Sequence, residues 1–294
     1  MRKNAPQSLL MLVLSMVIFG SIGIFRRFIP LSSAALACFR GICGAAVLFG
    51  AAKVQKRSPR NGIGSKKLIG LVFTGAMIGL NWMLLFEAYR YTTVPTATLC
   101  YYMQPTIVML ASPWVFGEKL TGKKGLCAAL SLFGMVLVSG VVENGMPQLS
   151  EMKGILFGLG AAALYAAVVM MNKKLPGIDA YEKTIIQLLA AAGVLVPYVL
   201  IFKEPLPASW SLTEGLMLIV VGVVHTGLAY ALYFGSMDGL RVQTVAIVSY
   251  LDPIVALLLS ALILKEGLSL TGVFGAVLIL GAAFIGEMNG KKTA

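Results

Sequence analysis

Apolar residues in this chain come in long unbroken runs, with neither the strict alternation of a half-buried strand nor the single stripe of a surface helix. Ten stretches qualify, each bounded by charge, proline or glycine: 8–28, 33–52, 68–89, 94–116, 125–142, 154–171, 182–202, 212–234, 243–264 and 270–288. A helix needs roughly 20 mainly apolar residues to cross about 30 Å of hydrocarbon. Period-two alternation, the mark of membrane strands, is missing. The pattern predicts an all-α integral membrane protein of about ten transmembrane helices.

Composition agrees with lipid as the solvent. Of 294 residues, 58% are hydrophobic and 12% charged, about half the charge content of a soluble domain. The net charge of +12 would suit nucleic acid, but its placement does not. The charges fall in short clusters between apolar runs, at Arg2 and Lys3, at Lys53 to Lys67, and at Lys119, Lys123 and Lys124. That is the punctuation of membrane spans. With the N-terminus inside, 17 of the 24 Lys and Arg lie in inward loops and 6 in outward ones. The imbalance predicts a multi-pass protein of the cell (inner or plasma) membrane with both termini cytoplasmic. The four cysteines, Cys38, Cys43, Cys100 and Cys127, sit inside apolar runs without metal or disulfide spacing. Leu36-Ala37-Cys38 imitates a lipoprotein cleavage site. Arg26, Arg27 and Pro30 separate it from the first apolar run, so that run is expected to be retained as a span.

An internal repeat organises the spans. Residues 101–105 read YYMQP and residues 249–253 read SYLDP, with prolines 148 apart. Thirteen residues after each proline stands a Glu, Glu118 and Glu266. Gly125 to Gly134 is mirrored by Gly272 to Gly281 after a one-residue slip, and SMVIFG (15–20) resembles AALYAA (162–167). The predicted division is 1–145 for spans one to five and 146–294 for spans six to ten. Five is odd, so the second half must enter the membrane in the opposite sense, an inverted repeat of the secondary-transporter kind.

These residues resemble the drug/metabolite transporter superfamily, in its ten-span branch with two EamA domains. The carrying residues are Pro105, Glu118 and Leu120, then Pro253, Glu266 and Leu268. The resemblance covers nearly the whole chain and says little about substrate, since members move amino acids, organic cations, nucleotide sugars and other metabolites. It implies a central cavity enclosed by spans one to four and six to nine, with spans five and ten as braces behind.

Ionisable groups inside spans are costly and mark function. Four stand out: Arg40, Glu87, His225 and Asp252. Arg40, midway along the second run, can hold a carboxylate by a two-pronged hydrogen bond; an ion pair with Glu87 is the structural alternative. Glu87 can serve as a protonatable group at the outer mouth, or pair locally with Arg90. His225, the only histidine, can relay protons or bond a neighbouring carbonyl. Asp252 precedes Pro253 where the first half has Gln104 before Pro105. A proline within a helix leaves a carbonyl without its amide partner, and transporters build midplane sites at such breaks. Asp252 is therefore the leading substrate contact or proton site.

Aromatic residues complete the candidate set. Trp82, Phe86 and Tyr89 share one helix face, Asn81 adjoins Trp82, and Tyr101, Tyr102, Tyr165, Tyr230, Tyr233 and Tyr250 lie in or near the same runs. Such a lining suits an aromatic side chain or, by cation–π attraction, an organic cation. The expected substrate site is Arg40, Asn81, Trp82, Tyr101, Gln104, Tyr165, His225, Tyr230, Tyr250 and Asp252, with Glu87, His225 and Asp252 as proton sites and Pro105 and Pro253 as helix breaks. No P-loop, H-E-x-x-H or G-x-S-x-G occurs, so ATP hydrolysis and the common hydrolase mechanisms have no anchor. No cofactor and no metal is expected. The sequence reads as a secondary transporter exporting amino acids or related metabolites, not an enzyme, working in lipid as a monomer or homodimer. An organic cation or drug carrier and a lipid-linked carrier flippase are the alternatives.

Overall fold

A computed structural model describes residues 5–55, 63–117, 120–145, 148–203, 207, 209–237, 240 and 248–289. Glu118, Lys119, Arg241 and the start of the ninth run lie outside the described residues. The described residues are helical and contain no strand. The first three helices are α1 (Ala5–Arg27), α2 (Ser33–Val54) and α3 (Ser65–Tyr91). The fourth apolar run, 94–116, forms two helices, α4 (Val94–Tyr101) and α5 (Gln104–Phe116). Then come α6 (Gly122–Val138), the single-turn α7 (Val141–Asn144), α8 (Leu149–Lys173) and α9 (Ala180–Ile201). The eighth run is α10 (Leu212–Gly222), a π-helical turn Val223–Leu228 and α11 (Ala229–Met237). Last are α12 (Leu251–Leu259), a second π-helical turn Ser260–Leu264, and α13 (Leu270–Asn289).

Among the described residues, six helical segments are long and apolar enough to cross a membrane: Pro6–Arg27, Ser33–Val54, Ser65–Tyr91, Leu149–Lys173, Ala180–Ile201 and Leu212–Ser236. Leu251–Leu264 and Leu270–Ile285 are shorter apolar helices. Polarity is inverted relative to a soluble fold. Ile69, Leu200, Leu262, Phe274 and Val277 face outward, while Ser15, Arg40, Thr74, Asn81, Gln187, His225 and Thr226 are buried. Outer apolar faces and inner polar groups are what a lipid solvent selects.

Local chemistry sets the helix ends. Ser32, Thr93 and Asp179 accept hydrogen bonds from the first backbone amides of α2, α4 and α9, and Ser211 and Glu214 form a capping box on α10. The split of the fourth run follows from Pro105. Proline has no amide to donate and its ring crowds the carbonyl four residues back, here that of Tyr101. The helix accordingly ends at Tyr101 and restarts at Gln104.

Packing runs chiefly between the two ends of the chain. α3 lies on α8 and α9, α2 on α9 and the first π turn, α1 on α11 and α12, and α4 and α5 on α8. Gly20 lets α1 close on α12: a Cβ there would overlap the Asp252 carbonyl oxygen. α6 and α13 pack against each other, where Gly134 and Gly275 meet so closely that a Cβ on either would stand under 3 Å from the other's carbonyl oxygen. The main core joins α1–α4 to α8–α11, around Leu36, Leu48, Phe86, Ala161, Leu188 and Leu195.

Candidate functional site: a central aromatic cavity

The helices leave a cavity of about 650 Å³ lined from most of the elements. α1 contributes Met16, Phe19 and Gly20; α2, Arg40; α3, Trp82, Leu85, Phe86 and Tyr89; the α4–α5 break, Thr98, Tyr101, Tyr102, Gln104 and Pro105. α8 adds Tyr165, α11 Tyr230 and Tyr233, the approach to α12 Ser249 and Tyr250, and its first turn Asp252. One end is lined by Met109, Ser112, Lys124 and Val169. A pocket this size suits a small metabolite.

The wall is aromatic. Tyr101 lies 5.7 Å from Tyr165 and 6.1 Å, edge-on, from Tyr102. Phe19 stands edge-on to Tyr230 at 5.2 Å and to Tyr233 at 6.4 Å. These offset and edge arrangements are the favourable ones for π systems. Trp82, Phe86 and Tyr89 all reach the cavity from their common face of α3.

Besides Lys124, an arginine and an aspartate far apart in the chain reach this cavity. Arg40 is 4% exposed, and its guanidinium lies over Trp82 at 4.2 Å and over Phe86 at 5.2 Å. Its Nε donates to Thr226 Oγ1 at 2.9 Å. Among the described residues no carboxylate pairs with it: Glu87 instead accepts from Arg90 at 3.0 Å, one turn along α3. Asp252 accepts a 2.6 Å hydrogen bond from the Tyr102 hydroxyl through Oδ2, and no described cation pairs with it. A buried arginine and a buried aspartate, each held by a neutral hydroxyl partner, leave charge for something that enters.

Of the residues singled out in the sequence, Arg40, Trp82, Tyr101, Gln104, Pro105, Tyr165, Tyr230, Tyr250 and Asp252 line this one space. Asn81, Glu87, His225 and Pro253 do not. Asn81 is buried and donates to the Ala161 carbonyl, tying α3 to α8. His225 is buried beside Phe25 at 4.5 Å; its Nε2 lies 2.9 Å from Ser21 Oγ and its Nδ1 3.3 Å from the Val220 carbonyl. Pro253 is buried in the first turn of α12.

Sequence reading left several residues outside the expected site. The Tyr102–Asp252 bond joins two proline segments 150 residues apart, and only the shared spacing of Tyr102 and Tyr250 before their prolines hints at it. Thr226 carries no signal of its own, because nothing in VVHTGL announces a π-helical turn. Lys124 reads as loop charge, yet reaches the cavity end.

At the end of α1, Arg27 Nη2 bonds Glu266 Oε1 at 2.8 Å and the Thr92 carbonyl at 3.3 Å. Glu266 Oε2 accepts from the Val94 amide at 2.9 Å, so one carboxylate ties α1, the start of α4 and the segment before α13.

Comparison with known proteins agrees with this architecture. The chain is 29% identical over 269 residues to an uncharacterized transporter, YxxF, of Bacillus subtilis (strain 168), covering 87% of this chain and 82% of that one. It is 28% identical over 200 residues to a probable amino-acid metabolite efflux pump of Escherichia coli (strain K12), covering 64% and 66%. A solved crystal structure superposes with a TM-score of 0.65 at 19% identity, covering 99% of both chains, and so shares the fold. The profile of the EamA-like transporter family matches residues 7–140 and 152–286. The protein is thus a multi-pass membrane transporter, and it belongs to the EamA-like transporter family of drug/metabolite transporters.

Proposed function

We propose that the protein is a secondary transporter exporting amino acids or closely related zwitterionic metabolites by alternating access. The carrying observation is that one aromatic cavity receives both Arg40 and Asp252, with neither ion-paired among the described residues. A zwitterion needs both signs: Arg40 for its carboxylate, by a forked charge-assisted hydrogen bond, and Asp252 for its ammonium. The aromatic wall then contacts an apolar or aromatic side chain. The name of the Escherichia coli relative, a probable amino-acid metabolite efflux pump, supports this class.

In this reading ten spans form two inverted halves in the inner or plasma membrane, with both termini cytoplasmic. The broken run 94–116 is the fourth span and the segment ending at Leu264 the ninth. Two separate family matches, 7–140 and 152–286, support two like halves. On that topology Lys124, Ser112 and Val169 line the cytoplasmic end of the cavity, and the Arg27–Glu266 tie closes its outer side. Asp252 is the proton site of choice, because His225 and Glu87 are hydrogen-bonded elsewhere.

Purified protein in liposomes loaded with unlabelled L-phenylalanine should take up the labelled amino acid by exchange. Arg40→Ala and Asp252→Asn, each correctly folded by melting temperature, should each abolish that uptake. Full exchange in both variants refutes the zwitterion site. Intact transport of a quaternary amine by Arg40→Ala, with no amino-acid exchange in the parent protein, turns the reading to a cation carrier.

A further inference from the structure

We infer that Thr226, held in place by the π-helical turn Val223–Leu228, is the residue that aims the Arg40 fork into the cavity and so fixes how a substrate carboxylate is read. The inference deepens the proposed function and rests on its assignment of Arg40.

The turn interrupts an otherwise continuous helix from α10 to α11. Such one-turn π insertions cost hydrogen-bond quality and recur at functional sites. Here the insertion offers two consecutive side chains to first-half helices: His225 to Ser21 of α1, and Thr226 to Arg40 of α2. The turn is pressed onto α2. A Cβ at Gly44 would overlap the Thr226 methyl, and one at Gly227 would overlap Val47. Thr226 is fully buried, with its methyl against Gly44.

Its hydroxyl has a fixed polarity. The single O–H donates to the Val221 carbonyl at 3.1 Å. Only lone pairs remain on the Arg40 side, so Thr226 Oγ1 accepts from Nε at 2.9 Å. A guanidinium can grip a carboxylate side-on, through Nε and one Nη, or end-on, through both Nη groups. Thr226 removes the side-on mode by occupying Nε. Trp82 and Phe86 cover the guanidinium face, leaving the end-on pair, which has no partner among the described residues, for the ligand. Thr226 touches no substrate in this scheme; it positions the group that does.

The test uses two probes that differ by one carboxylate, L-phenylalanine and 2-phenylethylamine, titrated against wild type, Thr226→Val, Thr226→Ser and Arg40→Lys in lipid nanodiscs. Valine keeps the shape and removes the acceptor, and serine restores it. Thr226→Val should weaken phenylalanine binding about thirtyfold, the worth of one hydrogen bond to a charged group, and leave phenylethylamine unchanged. Thr226→Ser should return phenylalanine affinity to within about twofold of wild type. In proteoliposomes the valine defect should appear in KM with maximal exchange retained. A second readout needs no ligand: in protein labelled with ¹⁵N-arginine, the Nε–H signal lost in Arg40→Lys should shift in Thr226→Val and return in Thr226→Ser. Equal losses for both probes, or an unmoved Nε–H signal, overturn the positioning role. If Arg40→Lys itself leaves phenylalanine affinity intact, or wild type binds neither probe, the carboxylate reading falls instead. The Nε–H signal still decides whether Thr226 holds Arg40.

Discussion

The segments that start at Pro105 and Pro253 follow one path and carry different chemistry. α5 begins one residue before Pro105 and α12 two residues before Pro253. Twelve residues beyond each proline the backbone turns left-handed, at Gly117 with φ 68° and at Lys265 with φ 59°. Between those landmarks the segments diverge. The first carries the neutral Gln104 and ends as α-helix on glycine. The second carries Asp252, winds its last turn as π-helix over Ser260–Leu264, and forces a lysine into the left-handed cap. Both segments reach the cavity, and Tyr102 of one holds Asp252 of the other. What the two segments share is the proline and the left-handed cap. The charge stands on one segment alone, and the proposed ammonium site exists only on the second segment.

The sharpest way to break the comparison is to make the two segments chemically alike. Asp252→Asn leaves a neutral amide before each proline. The proposed contact to an ammonium group is then lost, along with a hydrogen bond to a charged group of about 2 kcal/mol, a factor of about 30 in affinity. Phenylalanine exchange in proteoliposomes should fall at least that far. Moving the acid to the other segment, as Gln104→Asp with Asp252→Asn, should not restore it, because the tyrosine donor and the arginine keep their places. Recovery in the double variant would mean that only net cavity charge matters. Wild-type uptake should also follow an imposed pH gradient, and the Asn variant should ignore it, if Asp252 carries the proton.

A smaller effect follows from untying the segments. Tyr102→Phe keeps the ring against Tyr101 and deletes the 2.6 Å bond to Asp252. The carboxylate then lacks its neutral donor, and binding of 2-phenylethylamine, read by thermal shift, should change by about fivefold while Arg40-dependent carboxylate selectivity stays. Unchanged binding of 2-phenylethylamine would mean that the tyrosine bond does not bear on the ammonium contact, and a change for phenylalanine alone would place the tyrosine on the carboxylate side.

How far this site was legible in the sequence depends on the kind of signal each residue leaves. Runs of apolar residues and matched prolines are local, and they foretold the helical architecture and the break at Tyr101–Gln104. Charges inside apolar runs are rare enough to stand out, so Arg40 and Asp252 were visible. Their partners were not. Asn81 and His225 looked like site residues because a polar group in lipid must be satisfied somewhere, yet each finds its partner on a neighbouring helix away from the cavity. Which neighbour a helix meets is a tertiary fact. Thr226 shows the same from the other side, since threonine is common in membrane helices and only the π turn gives its hydroxyl a particular target.

The left-handed caps give the smallest and most physical test of the comparison. A residue with a side chain pays roughly 1–2 kcal/mol to adopt the left-handed conformation, and glycine pays almost none. Gly117 sits in that conformation with open space around its Cα, so Gly117→Lys adds strain without a clash. Lys265 bears the same strain in the native chain. Glycine also frees the unfolded chain, an opposing effect of about 0.4–1 kcal/mol. The balance predicts a loss of up to about 1 kcal/mol for Gly117→Lys and a gain of similar size for Lys265→Gly, seen as opposite shifts in melting temperature in the same detergent. If Lys265→Gly lowers the melting temperature, the lysine side chain makes a contact that outweighs its strain, and the two caps are alike in path only.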